Sequence, residues 1–201
     1  MIVVVGVGPG NADFLTPQAQ AAIATADWLV GGARHLAMFA QAQHKTRTLD
    51  ADLEALLAWL RDNLGTQRIV VLASGDPLLF GIGKWLAAHF LPDELQIIPG
   101  ISAIQYLCAR VALDMNDIYL TSSHGRTPDF DGLLQHHKVA MVTDTVIGPR
   151  AIADAIIQRG LTRSLIIGEN LSLPAERIYR LPPAAVAQCY DMNVVVILNE
   201  R

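Results

Sequence analysis

Cysteine is scarce in this 201-residue sequence: Cys108 and Cys189 stand far apart, each in helix-like surroundings. That excludes a disulfide framework, and two reduced, at least partly buried thiols are expected. The six histidines, at 35, 44, 89, 124, 136 and 137, include no pair at the i, i+4 spacing of a helical zinc site, so no metal is expected. Charge is sparse too, which fits buried strands better than a solvated or disordered chain. The net charge of −4, with no basic run, argues against nucleic-acid binding. Gly, Pro or charge interrupts every apolar run before it could cross a bilayer, so no membrane span is expected. The opening Met1-Ile2-Val3-Val4-Val5-Gly6 lacks a basic region and a small-residue cleavage site, and reads as a buried strand of a cytoplasmic protein. Internal repeats and low-complexity segments are missing as well.

What is present is an apolar majority, 52% of residues, enough for a sizeable core. Strand-like runs fall at Ile2–Val5, Ile69–Ala73, Leu95–Ile98, Ile118–Thr121, Val139–Thr143, Ser164–Ile167 and Val194–Leu198. Several are continuous β-branched runs, as expected for strands covered on both faces. Helical segments alternate with them. Thr16 can cap a helix with Pro17 at its first position. Leu53, Leu56, Leu57, Leu60 and Leu64 recur at helical spacing, with Asp50 or Asp52 as cap and Gly65 as stop. Further helices are expected over Ile101–Val111 and from Pro149 to Gly160. The alternation predicts an α/β fold with mainly parallel sheet. The polar cluster Asp114, Asn116 and Asp117 suggests a division into closely packed lobes, 1–113 and 114–201.

Three strands of the first lobe end in Gly/Pro loops: Gly6-Val7-Gly8-Pro9-Gly10, Ala73-Ser74-Gly75-Asp76-Pro77-Leu78-Leu79-Phe80-Gly81 and Pro99-Gly100-Ile101-Ser102-Ala103. Any one of them alone is as consistent with a tight turn as with a ligand site. Converging on the carboxyl edge of a parallel sheet, they point to a pocket for one small molecule. No Lys-Ser or Lys-Thr follows a Gly loop, so a P-loop is excluded. The first loop lacks the G-x-G-x-x-G spacing that opens a helix, which disfavours a nicotinamide oxidoreductase, and Asp27 is not assigned to a ribose.

These loops, in this order, resemble those of the class III S-adenosylmethionine-dependent methyltransferases, which act on tetrapyrroles. The resemblance covers the whole chain. Gly31-Gly32-Ala33-Arg34-His35-Leu36, Thr121-Ser122-Ser123-His124-Gly125-Arg126 and Ile167-Gly168-Glu169-Asn170-Leu171 are similar to the branch that methylates carbon 5 of a corrin precursor on the way to cobalamin. The resemblance implies a two-lobed tetrapyrrole methylase fold, with a mainly parallel sheet in the first lobe and a second α/β lobe. It further implies S-adenosylmethionine as donor, S-adenosylhomocysteine as product and a homodimer. Transient contact with the carbon-15 methyltransferase/decarboxylase of the pathway also belongs to that expectation. On this resemblance Gly8 and Pro9 lie against the methionine end of the donor. Gly75, Asp76 and Leu79 surround its amino-acid portion, with the Asp76 carboxylate near the ammonium. Ser102 and Ala103 add contacts, and Met141 with Glu169–Leu171 covers the adenosine.

Methyl transfer from a sulfonium needs an aligned nucleophile more than a strong catalyst. The acceptor carbon must later lose a proton, and His124, in a polar loop, is the candidate base or orienter. An acidic protein that binds a polycarboxylate needs local cations, and Arg34, Arg126 and Arg150 are the candidates. Arg150 follows Pro149 at a helix start, an unfavourable place for an unpartnered cation. His136 and His137 read as surface residues. The rivals are another tetrapyrrole methylase, such as a uroporphyrinogen III methylase, and a non-catalytic nucleotide sensor. A single cofactor cleft predicts one methyl per round and no decarboxylation.

Overall fold

The computed structural model describes residues 1–200 and divides into two compact units, Met1–Ser102 and the unit that begins at Ala103. The first unit runs β1 (Ile2–Gly6), α1 (Pro17–Ala24), β2 (Trp28–Gly31), α2 (Ala33–Phe39), β3 (Lys45–Thr48), α3 (Leu53–Asn63), β4 (Ile69–Ala73), α4 (Gly83–Ala87) and β5 (Leu95–Ile98). Its five strands form one wholly parallel sheet in the order β3-β2-β4-β1-β5. The chain first winds outward from β1 to β3, then returns to β4 and β5. Right-handed crossovers in opposite directions put the helices on opposite faces. One face packs Val5, Leu29, Val70 and Leu72 against Ala19, Ile23, Leu36 and Phe39 of α1 and α2. The other packs Val4, Val30, Ile69 and Val71 against Leu56, Leu57, Leu60 and Leu86 of α3 and α4. Each fully buried aliphatic side chain here contributes about 1.5–3 kcal/mol.

The helix starts follow their caps. Thr16 Oγ1 accepts from the Ala19 N–H at 3.1 Å, with Pro17 at the first position. Asp52 Oδ1 accepts from Ala55 N–H at 2.9 Å, and Gly65 ends that helix in the left-handed region at φ 82°. Asp27 ties the amino ends of β2 and β4 together, its Oδ2 accepting from Arg68 N–H at 2.7 Å. That places it at the sheet edge opposite the Gly loops.

The second unit contains α5 (Ala103–Arg110), β6 (Ile118–Ser122), α6 (Phe130–Leu133), β7 (Lys138–Val142), α7 (Pro149–Gln158), β8 (Arg163–Glu169), β9 (Arg177–Leu181) and β10 (Asn193–Asn199). Its sheet has the order β6-β7-β10-β8-β9, and only the β6–β7 pair is parallel. The division falls ahead of the Asp114–Asp117 cluster because α5 belongs to this unit's core. Ile104, Leu107 and Cys108 pack against Ala140, Ile166, Val194 and Val196. The opposite face buries Val139, Met141, Leu165 and Val195 under Ile152, Ala153 and Ile156 of α7.

Three strands escape the sequence pattern. β2 is only four residues long, while β3 (Lys45-Thr46-Arg47-Thr48) and β9 (Arg177-Ile178-Tyr179-Arg180-Leu181) are edge strands with little buried surface. The two cysteines also part company. Cys108 is buried on α5, and burial pushes its thiol up. Cys189 is exposed and lies in irregular chain after a 3-10 turn at Pro183–Ala185, not in a helix. Pro182 and Pro183 explain this, since they remove two backbone donors ahead of it.

Candidate functional site

The carboxyl ends of β4, β1 and β5 lie side by side, so the three Gly/Pro loops emerge together from adjacent strands of the first unit. Their glycines pack main chain on main chain. A Cβ on Gly6 would stand 2.5 Å from Gly100 N and 2.6 Å from Gly75 O. One on Gly100 would come within 2.2 Å of Gly75 O. Gly8 and Gly75 exchange hydrogen bonds, Gly75 N–H to Gly8 O at 2.9 Å and Gly8 N–H to Gly75 O at 3.3 Å. The Gly8 and Gly75 amides are therefore engaged with one another.

Asp76 has a role that the sequence did not reveal. Its Oδ1 accepts from Leu78 N–H at 2.8 Å and its Oδ2 from Gly100 N–H at 3.1 Å, which joins the second loop to the third. Each carboxylate oxygen retains a further acceptor site, so the group still fits an ammonium. Leu79 closes the same turn through its N–H to Asp76 O at 3.3 Å. Ser102, in the third loop, is buried, and Ala103 opens α5.

A second cluster flanks the same edge. Arg34 and His35, in the first turn of α2, meet Ser74 of the second loop, with Arg34 Nη2 3.4 Å from His35 Nε2 and 3.5 Å from Ser74 Oγ. Burial, then the Arg34 charge, push His35 down to about 4, so its imidazole is neutral at neutral pH.

In the second unit the Ser-His-Gly-Arg loop follows β6. Ser123, fully buried, donates to Ile147 O at 3.0 Å and accepts from Asp144 N–H at 3.2 Å. The Asp144 carboxylate receives Ile147 N–H and Val146 N–H on Oδ1 and Gly125 N–H on Oδ2. Those backbone donors, that of Ile147 foremost, together with the nearby His124 hold it below the usual carboxylate range. Gly125 turns at φ 67°. His124 is exposed, and its own N–H donates to Ser122 Oγ at 3.0 Å. Arg126 is held by Ser122 O and Thr121 Oγ1. The loop is thus braced by an aspartate two residues past the end of strand β7, a position that sequence reading passed over.

Among the expected cofactor and substrate residues, three of the second unit bury their side chains and one is already ion-paired. Met141 and Leu171 bury their side chains in the two cores of the second unit. Glu169 is buried, and its carboxylate accepts from Tyr179 OH at 3.3 Å and from Asp191 N–H. None of the three offers an open side chain. Arg150 is not an unpartnered cation, because it pairs with Asp154 one turn on and donates to Val186 O at 3.2 Å. That pair removes the misfit at the helix start, which had lent its functional reading slight support.

Residues 1–187 match the model of the Tetrapyrrole (Corrin/Porphyrin) Methylases. The chain belongs to this family. Along its full length this tetrapyrrole methylase is 54% identical to the cobalt-precorrin-7 C(5)-methyltransferase of Salmonella typhimurium, covering 100% of both chains. The precorrin-6Y methylase of cobalamin biosynthesis from Archaeoglobus fulgidus has the same fold, with a TM-score of 0.79 at 22% identity over 100% of this chain and 99% of that one. So does the uroporphyrin-III C-methyltransferase of Thermus thermophilus solved with S-adenosyl homocysteine, with a TM-score of 0.78 at 19% identity over 98% and 96% of the two chains. Among the described residues no helix is long and apolar enough to cross a membrane.

Proposed function

We propose that this tetrapyrrole methylase moves a methyl group from S-adenosylmethionine to carbon 5 of a corrin precursor in cobalamin biosynthesis. The observation that carries the reading is the 54% identity, end to end, with the Salmonella carbon-5 enzyme. The donor brings an activated methyl on a sulfonium, and the protein's task is to align and to exclude water. Asp76 receives the amino-acid ammonium on the acceptor sites that its loop bonds leave open. Gly8, Pro9, Gly75, Leu79, Ser102 and Ala103 form the surrounding wall. Arg34 and Arg126 bind carboxylates of the polyanionic acceptor, and His124 receives or orients the proton that the acceptor loses. His35, being neutral, adds no like charge beside Arg34.

A homodimer in the cytoplasm is part of the same proposal, and light scattering tests the assembly. Pure protein supplied with methyl-labelled S-adenosylmethionine and a panel of acceptors tests the reaction. Label should pass to a corrin precursor, at carbon 5 by carbon NMR. Label passing to uroporphyrinogen and to no corrin would overturn the reading.

A further inference from the structure

Strand β6 is an edge of the second sheet, and its alternate residues Tyr119 and Thr121 share one face. Beside that face lies a polar cavity of about 320 Å³, lined among others by Tyr119, Thr121, Arg126, Asp129 and His136. Two features set it apart from ordinary surface relief. The rings of Tyr119 and His136 are stacked, centroids 4.3 Å apart and planes 9° from parallel, although Tyr119 is 42% exposed. Arg126 is fixed from behind, its Nε donating to Ser122 O at 2.9 Å and its Nη2 to Thr121 Oγ1 at 3.4 Å.

A guanidinium carries five N–H donors, so three stay open on the remaining edge. No acid of the described residues forms an ion pair with Arg126, Arg163 or Arg177, whereas Arg110, Arg150, Arg159 and Arg180 of the same unit each have one, and of the three only Arg126 lines the cavity. Asp129 also lines the cavity, where its Oδ1 caps α6 by accepting from Asp131 N–H and Gly132 N–H and its carboxylate makes no ion pair with Arg126. A pre-oriented fork that makes no direct ion pair, facing a polar cavity, suits a carboxylate. The cavity is at the small end of small-molecule sites, so it suits one part of a large ligand.

We infer that this cavity receives one acetate or propionate arm of the corrin substrate, with Arg126 gripping the carboxylate and the Tyr119–His136 pair walling the arm. The inference rests on the corrin-methylase reading and names a binding determinant within it. His136, which the sequence presents as a plain surface residue, becomes part of the wall.

The test uses two stable cobalt corrins, one with free carboxylate arms and one with the arms amidated, together with S-adenosylhomocysteine as a probe of the fold. Arg126→Gln should weaken binding of the free acid about ten- to hundredfold and leave the amidated corrin within about twofold. Arg126→Lys should recover part of the loss, because the charge returns without the fork. Tyr119→Ala should weaken both corrins, and S-adenosylhomocysteine should bind all variants alike. Unchanged affinity of Arg126→Gln for the free acid, or an equal loss for both corrins, overturns the inference. A wild-type protein that binds and methylates no corrin would instead remove the reading beneath it.

Discussion

The Asp76 carboxylate holds the Gly100 amide at 3.1 Å, so the loop after β4 and the loop after β5 share one anchor. The same side chain also receives Leu78 N–H. Asp76→Ala therefore removes the acceptor of two amides as well as the proposed partner of the donor's ammonium. Stability should fall by about 1–3 kcal/mol, and S-adenosylhomocysteine affinity at least about tenfold. Asp76→Asn, which keeps one acceptor oxygen, should fall between this variant and wild type. Calorimetry and urea denaturation separate the two effects. A folded alanine variant with unchanged affinity would sink the ligand role, and one with unchanged stability would sink the anchor.

Gly100 and Gly65 offer a paired test of what glycine is for. A Cβ at Gly100 would meet Gly75 O at 2.2 Å and Gly6 C at 2.7 Å, both main chain and unable to give way. Gly100→Ala should cost about 3 kcal/mol or more, or prevent folding. Gly65 has open space around it and only a positive φ of 82° to defend. Gly65→Ala should cost about 1 kcal/mol. Equal costs in denaturant unfolding would show that the three loops are not packed as described.

His35 titrates near 4 in the folded protein, against an ordinary value of 6.5. Between those values the unfolded chain binds a proton that the folded chain refuses, so acid favours unfolding. This contribution to stability is complete above pH 6.5 and is lost as pH falls from 6.5 towards 4. His35→Gln should flatten that part of a melting-temperature profile. The imidazole proton shift in NMR should show no titration down to about pH 5. A midpoint near 6.5 would mean that burial and Arg34 do not act on the ring as described.

Much of the fold was legible because buried β-branched runs and capped leucine stripes leave a period in the sequence. Ile69–Ala73 and Leu95–Ile98 emerge with the expected bounds, and Thr16, Asp52 and Gly65 delimit helices as their chemistry requires. β3 and β9 were hidden because an edge strand is defined by its neighbour and carries charged residues as readily as a loop does. The three Gly/Pro motifs lie together at the carboxyl edge of the first sheet, as their places after strands imply. They did not reveal that Gly6, Gly75 and Gly100 pack on one another, since glycine permits close approach to a ligand and to a backbone alike. Glu169 and Leu171 lie within a quoted motif and Met141 within β7, yet neither a motif nor a strand run says how deeply a given side chain is buried. Arg150 looked unsatisfied because its partners, Asp154 and Val186 O, come from the next turn and from a distant segment.

The proposed reaction also has a fixed extent. The first unit gathers three Gly/Pro loops at the ends of three adjacent strands, and the glycines of these loops touch. One such set can hold one donor, because the loops are bonded to each other through Gly8, Gly75 and Asp76 and do not form separate cradles. Each acceptor carbon needs its own in-line approach to the sulfonium, so carbons far apart on a rigid macrocycle do not share one alignment. Removing a carboxyl group from an arm would demand yet another arrangement, with the arm rather than the ring at the reacting centre. This 201-residue chain, acting alone on a corrin precursor, should therefore add one methyl group and release no carbon dioxide. Mass spectrometry of the product at full conversion measures both quantities. A product carrying two new methyls, or one lacking a carboxyl group, would require a second mode of binding that the three joined loops do not provide.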